Sequence, residues 1–242
     1  MAIKLVVCEN YADMSARCAS MFAEQIQKKP NAVLGLATGS TPIGTYEVLC
    51  KMYQEGALDF SKIRTYNLDE YYPISPDNDQ SYRFFMQKNL FEKVNIDPKN
   101  THVPCGSCAN PEEECARYDK AIEEAGGIDL QLLGIGVNGH IAFNEPDEAL
   151  IVNTHVTALT ESTIQANARF FACAKEVPRH ALTMGIGSIL RARKIILLAS
   201  GANKHEAVTA LLSGKISTNC PASMLNLHAD TILLCDRAAY NG

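Results

Sequence analysis

Residues 130–146, LQLLGIGVNGHIAFNEP, decide how this chain reads. Leu130, Leu132, Leu133 and Ile135 form the short apolar run of a strand buried on both faces, and Gly134, Gly136 and Gly139 then permit tight turns and close backbone approach. The strand stops abruptly and delivers Asn138, His140 and Glu145 into one turn. In an open α/β sheet, ligands sit at the carboxyl ends of such strands, so this polar cluster is where chemistry is expected.

Outward from that strand the same alternation repeats. Ile3–Cys8 reads as a first strand, and Asn10 suits the cap of a helix over Ala12–Lys28. Ala32–Ala37 is a second strand that breaks into Thr38-Gly39-Ser40-Thr41-Pro42 and restarts as a helix through Tyr46 to Tyr53, with Pro42 in its first turn. A third, Ile63–Leu68, ends in the polar Asp69-Glu70-Tyr71-Tyr72-Pro73. The spacing then predicts a helix over Gln80–Val94 with Phe84, Phe85, Leu90 and Phe91 inward, and a short strand at Thr101–Val103. Asn110 and Pro111 open an acidic helix that Gly126 and Gly127 stop.

Beyond Pro146, Ile151–Leu159 and Ala181–Met184 read as extended, Thr160–Phe170 as helical and Ser188–Ala192 as a helical turn. Ile195–Ala199 is a buried strand, Asn203–Leu212 a helix, Ser223–Leu227 a short helix and Thr231–Cys235 the last strand. Strands taking turns with helices at this spacing mean βα units. The expected fold is α/β: a Rossmann-like, mostly parallel sheet with helices on both faces, a single domain over residues 1–242.

Composition narrows the function. A net charge of −5 lacks the basic excess that a nucleic-acid or membrane surface needs, yet leaves room for a small anionic ligand held by a few local donors. No apolar run approaches the roughly 20 residues that span a bilayer. The nine cysteines are an odd number scattered through apparent helices and strands, and no signal peptide precedes Ile3, so a reducing, cytoplasmic location is expected. Cys105 and Cys108 have redox spacing but lie in a loop without a matching second pair, and are assigned neither a redox nor a metal role.

Three strand ends carry candidate chemistry. Thr38, Gly39, Ser40 and Thr41 form a small, hydroxyl-rich join whose free N–H groups and following helix suit a phosphate, although neither the Walker nor the dinucleotide spacing is present. Asp69, paired with Glu70, can serve as a general base; capping a turn is its bland alternative. Asn138 and His140, two apart, project the same way if extended, and Glu145 can fold back to orient the imidazole. Arg169 and Lys204 are candidate cations; each alone reads as a solvated surface charge, and Lys204 gains from its place in a further strand–helix join on the same edge.

These residues together resemble the glucosamine-6-phosphate deaminase family along essentially the whole chain. The resemblance rests on ATGSTP (37–42), NLDEYY (67–72), GVNGHIAFNEP (136–146), ARFF (168–171), ALTMGIG (181–187) and SGANK (200–204). It implies conversion of glucosamine 6-phosphate and water to fructose 6-phosphate and ammonium, without metal or organic cofactor. Asp69 matches the family's base for enolisation, His140 the group that moves protons in ring opening, and Glu145 its orienting carboxylate. Thr38–Thr41, Arg169 and Lys204 match the phosphate-binding positions. Where the family most often has Asp, this chain has Asn138, so a His between two carboxylates becomes a His with one.

Two neighbouring readings stand beside it. A 6-phosphogluconolactonase shares the fold and grips a sugar phosphate, but has little use for LDEYY or Phe143-Asn144-Glu145. A sugar-phosphate sensor of a transcriptional regulator predicts an attached DNA-binding segment, and none precedes Ile3. The resemblance also bears on regulation. Hexameric members bind N-acetylglucosamine 6-phosphate between subunits through basic residues after the NEP motif. Here Asp147–Thr160 has no Lys or Arg, His155 and Thr157 stand at the basic positions, and Glu148 stands where a small hydroxyl residue receives the phosphate. Since the chain also lacks the C-terminal extension of the longer forms, a non-allosteric monomer with hyperbolic kinetics is expected.

Overall fold

The computed structural model describes residues 3–161, 164–165 and 176–242. Its central sheet has seven strands in the order β1-β10-β9-β6-β2-β3-β5, and every neighbouring pair runs parallel. These are β1 (Lys4–Cys8), β2 (Val33–Leu36), β3 (Arg64–Asn67), β5 (Thr101–His102), β6 (Leu130–Gly134), β9 (Ile195–Ala199) and β10 (Thr231–Asp236). Side chains alternate between faces, so the wholly buried β9 and β10 are covered on both. That burial is why they read as unbroken apolar runs.

Helices supply the cover. α1 (Tyr11–Lys28) packs on β1, β10 and α2 (Ile43–Gln54), while α4 (Pro111–Glu124) packs on β7 (His155–Ala158) and β8 (His180–Thr183). The side-chain oxygens of Asn10 and Asn110 accept the Asp13 and Glu113 N–H groups, caps worth about 1 kcal/mol each. The chain closes with α5 (Ile186–Leu190), α6 (His205–Leu212) and α7 (Arg237–Asn241), the last unforeseen in the sequence. The expected helix over Gln80–Val94 is shorter, α3 (Tyr82–Asn89), followed by a single 3-10 turn. Asn89 turns its amide back on the Phe85 carbonyl, and the backbone leaves the helix at Leu90; Leu90 and Phe91 are buried, Phe84 and Phe85 only partly so. The helix expected over Thr160–Phe170 falls largely outside the described residues.

A second, three-stranded antiparallel sheet, β4-β8-β7, was not foreseen. Its first strand, β4 (Asp69–Tyr72), is the polar stretch in which the third strand was expected to end. Leu68 is the corner. Its N–H bonds to Leu36 of the large sheet and its carbonyl accepts from Met184 beside the small one, so β3 and β4 are one extended run that changes sheets. Tyr71 is drawn into a separate core with Phe143, Leu159 and Ala181, enough apolar contact to keep Asp-Glu in a strand. No helix among the described residues is long and apolar enough to cross a membrane.

Candidate active site

Because the large sheet is parallel, the loops after β9, β6, β2 and β3 emerge side by side on one edge. Asp69 sits at the corner between sheets, 6 % exposed, with Glu70 behind it at 1 %. Burial, and then the charge of Glu70, push the Asp69 carboxyl up to about 8. Glu70 is also raised by burial, although it accepts the N–H groups of Tyr71, Tyr82 and Arg83 and so anchors the start of α3 to β4. One carboxylate of the pair is therefore structural and the other is left for chemistry.

The 138–145 segment is the turn expected after the strand, so Asn138 and His140 do not project by extended-strand alternation. The turn still gathers all three polar residues. His140 Nδ1 lies 3.2 Å from Glu145 Oε2, the same oxygen receives the Asn138 amide at 2.6 Å, and Asn138 Oδ1 accepts the His140 N–H at 3.2 Å. Asn138 thus neutralises nothing but steers Glu145, and the Nδ1 contact leaves His140 Nε2 for a substrate. Gly136 is required under the imidazole: a Cβ there would lie 2.4 Å from ring atoms.

Thr183 and Asn144 couple this turn to Asp69. Thr183 is the cross-strand partner of Asp69, and its hydroxyl accepts the Phe143 N–H at 3.1 Å. The Asn144 amide, buried, donates to the carbonyls of Ile141 and Met184. Neither role was readable beforehand, although both residues lie within motifs that carried the resemblance.

The Thr38–Thr41 loop is clamped by two tyrosine hydroxyls. Tyr46 donates to the Ala37 carbonyl at 2.6 Å; Tyr11 accepts the Gly44 N–H at 2.8 Å and donates to the Ser40 carbonyl at 3.2 Å. Pro42 stands just ahead of α2 rather than inside its first turn. Tyr11, Ser40, Thr41, Ile43 and Ser200 line an open recess of about 360 Å³, so the joins after β2 and β9 face one another. Lys204 lies in the second join, half-buried, its ammonium shifted down by desolvation and without an ion-pair partner among the described residues. A half-buried cation in that state favours an incoming anion. Arg169, the other cation expected here, lies outside the described residues. A larger recess of about 980 Å³ between α4, the Asn153–Thr154 segment and α5 holds none of these groups, and its Asp119 is already bonded to Thr154 and Ser188.

The chain as a whole resembles known proteins. The family model for glucosamine-6-phosphate isomerases and 6-phosphogluconolactonases matches residues 9–234. Glucosamine-6-phosphate deaminase of Clostridium perfringens (strain 13 / Type A) is 57% identical over 98% of both chains. The deaminase of Thermoanaerobacter pseudethanolicus is 54% identical over 98% of this chain and 94% of its own. A solved monomeric glucosamine-6-phosphate deaminase superposes with a TM-score of 0.96 at 46% identity, covering 99% of each chain. A 6-phosphogluconolactonase from Thermotoga maritima shares the fold alone, at 20% identity and a TM-score of 0.76 over 97% of this chain and 100% of that one. The chain belongs to the glucosamine-6-phosphate isomerase/6-phosphogluconolactonase family.

Proposed function

We propose that this protein is a glucosamine-6-phosphate deaminase, converting glucosamine 6-phosphate and water to fructose 6-phosphate and ammonium. The observation that carries the reading is the linkage of the His140–Glu145 pair, through Phe143 and Thr183, to the buried Asp69. A lactonase needs no proton transfer between neighbouring carbons and would not require both halves. His140 Nε2 serves the ring oxygen as the pyranose opens. Asp69 then takes the proton from C2 and returns one to C1, leaving an imine at C2. Water adds to that imine and ammonium departs, so the isomerisation ends in a hydrolysis. The Thr38–Thr41 loop and Lys204 hold the 6-phosphate, with Arg169 in the same role. The discriminating experiment compares initial rates on glucosamine 6-phosphate and on 6-phosphogluconolactone. Ammonium release from the first with negligible hydrolysis of the second is expected, and the opposite preference would overturn the reading.

Glu145→Gln tests the ring-opening group. Its amide oxygen can still accept Nδ1–H while the charge is lost, so kcat on the cyclic substrate should fall about 10- to 100-fold with KM little changed. An unchanged rate would make Glu145 a structural residue.

We read the enzyme as non-allosteric and monomeric. Burial holds His155 toward its neutral form, with Nδ1 2.9 Å from the Asn153 carbonyl, so it cannot replace an arginine for a dianion. The exposed Glu148 would repel one. The solved relative at 46% identity is itself described as monomeric. Substrate saturation should be hyperbolic and unaltered by N-acetylglucosamine 6-phosphate, and light scattering should give the mass of one chain. A sigmoidal curve that the effector straightens would contradict the first part, and a hexamer the second.

A further inference from the structure

The join that carries Lys204 is held in place by the neighbouring strand. β10 ends at Asp236, directly beyond the pairing of Cys235 with Ala199, so its carboxylate lies against Ser200 and Gly201. Asp236 is 6 % exposed, and its carboxylate faces hydrogen-bond donors from the Ser200–Gly201 turn and from α7. It accepts the Ser200 hydroxyl, the Gly201 N–H at 3.1 Å and the Ala239 N–H at 2.8 Å, the last capping α7. Those donors hold the carboxyl below its ordinary range.

From Gly201 the connection passes to the lysine. Gly201 has φ of 94°, where a side chain is strained, and its carbonyl accepts the Lys204 N–H at 3.0 Å. One residue, Gly201, is therefore gripped by Asp236 through its N–H and by the Lys204 N–H through its carbonyl. Asp236 forms no ion pair with the ammonium itself. Its oxygens are engaged inward, which shapes the turn without competing with a phosphate for the cation.

We propose that Asp236 is the positioning residue of Lys204: it fixes the Ser200–Lys204 turn so that the ammonium meets the 6-phosphate, an inference that rests on the functional reading above. Asp236→Asn places an NH2 group among three donors while keeping the residue's size. The test is a double-mutant cycle of wild type, Asp236→Asn, Lys204→Ala and the double variant, with melting curves and full saturation kinetics on glucosamine 6-phosphate. Asp236→Asn should raise KM about tenfold with kcat within about twofold, and should add less than about twofold to KM once Lys204 is already alanine. Losses that multiply in the double variant, or a fall in kcat with KM unchanged, would overturn it. Should Asp236→Asn show no melting transition, Ser200→Ala replaces it in the cycle, with a KM rise of about threefold and the same criterion of non-additivity. Wild type is assayed first. No ammonium from it removes the functional reading, whereas an active wild type with multiplying losses removes the role of Asp236 alone.

Discussion

Asp69→Asn should lower kcat by at least about 10²-fold while KM changes little, because the amide keeps the shape of the site and loses its basicity. The wild-type pH profile should carry the same signature. A carboxyl raised by burial must be ionised to act as a base, so kcat/KM should climb about tenfold per pH unit up to about 8 and level off above it. The charge of Glu70 adds to that shift, so the midpoint reports on the pair. The linkage to stability has the opposite sense. The raised carboxyl contributes stability below its unfolded value near 4, which is lost as pH rises through about 8. Asp69→Asn should therefore melt no lower than wild type at pH 9, a control that separates lost basicity from lost fold. Near-normal turnover in this variant would refute the assignment of Asp69 as the base.

Lys204→Ala should raise KM for glucosamine 6-phosphate about 10- to 100-fold, the equivalent of the roughly 1.5–3 kcal/mol carried by a hydrogen bond to a charged group. Turnover at saturation should fall far less, since the phosphate is remote from C1 and C2. Inhibition by inorganic phosphate should weaken in parallel, a readout that bypasses the chemistry. The half-burial of Lys204 motivates the upper end of the range, because an exposed lysine would be screened. Unchanged KM and unchanged phosphate inhibition would mean that Lys204 does not read the phosphate.

Much of this was legible in the sequence, for reasons that can be named. β6, β9 and β10 are buried on both faces, so their apolar runs mark them without reference to their partners, and the parallel order then sets their ends along one edge. Asn10 and Asn110 announced their helices through local capping chemistry. β4 was not legible. Asp and Glu are poor strand residues, and the partner that holds them, β8, comes from a distant part of the chain. The turn holding Asn138, His140 and Glu145 was legible from its glycines, but not that the Asn138 and Glu145 side chains close it. The importance of Asp236 was invisible for a related reason: it closed an apolar strand, and the donors it serves belong to other turns.

A single time course tests the central claim most directly: wild-type protein incubated with glucosamine 6-phosphate, with ammonium and fructose 6-phosphate measured in the same samples. The account predicts that both rise together from zero, one ammonium for each ketose, with no added metal or cofactor. Ketose without ammonium, ammonium without ketose, or neither product would contradict it.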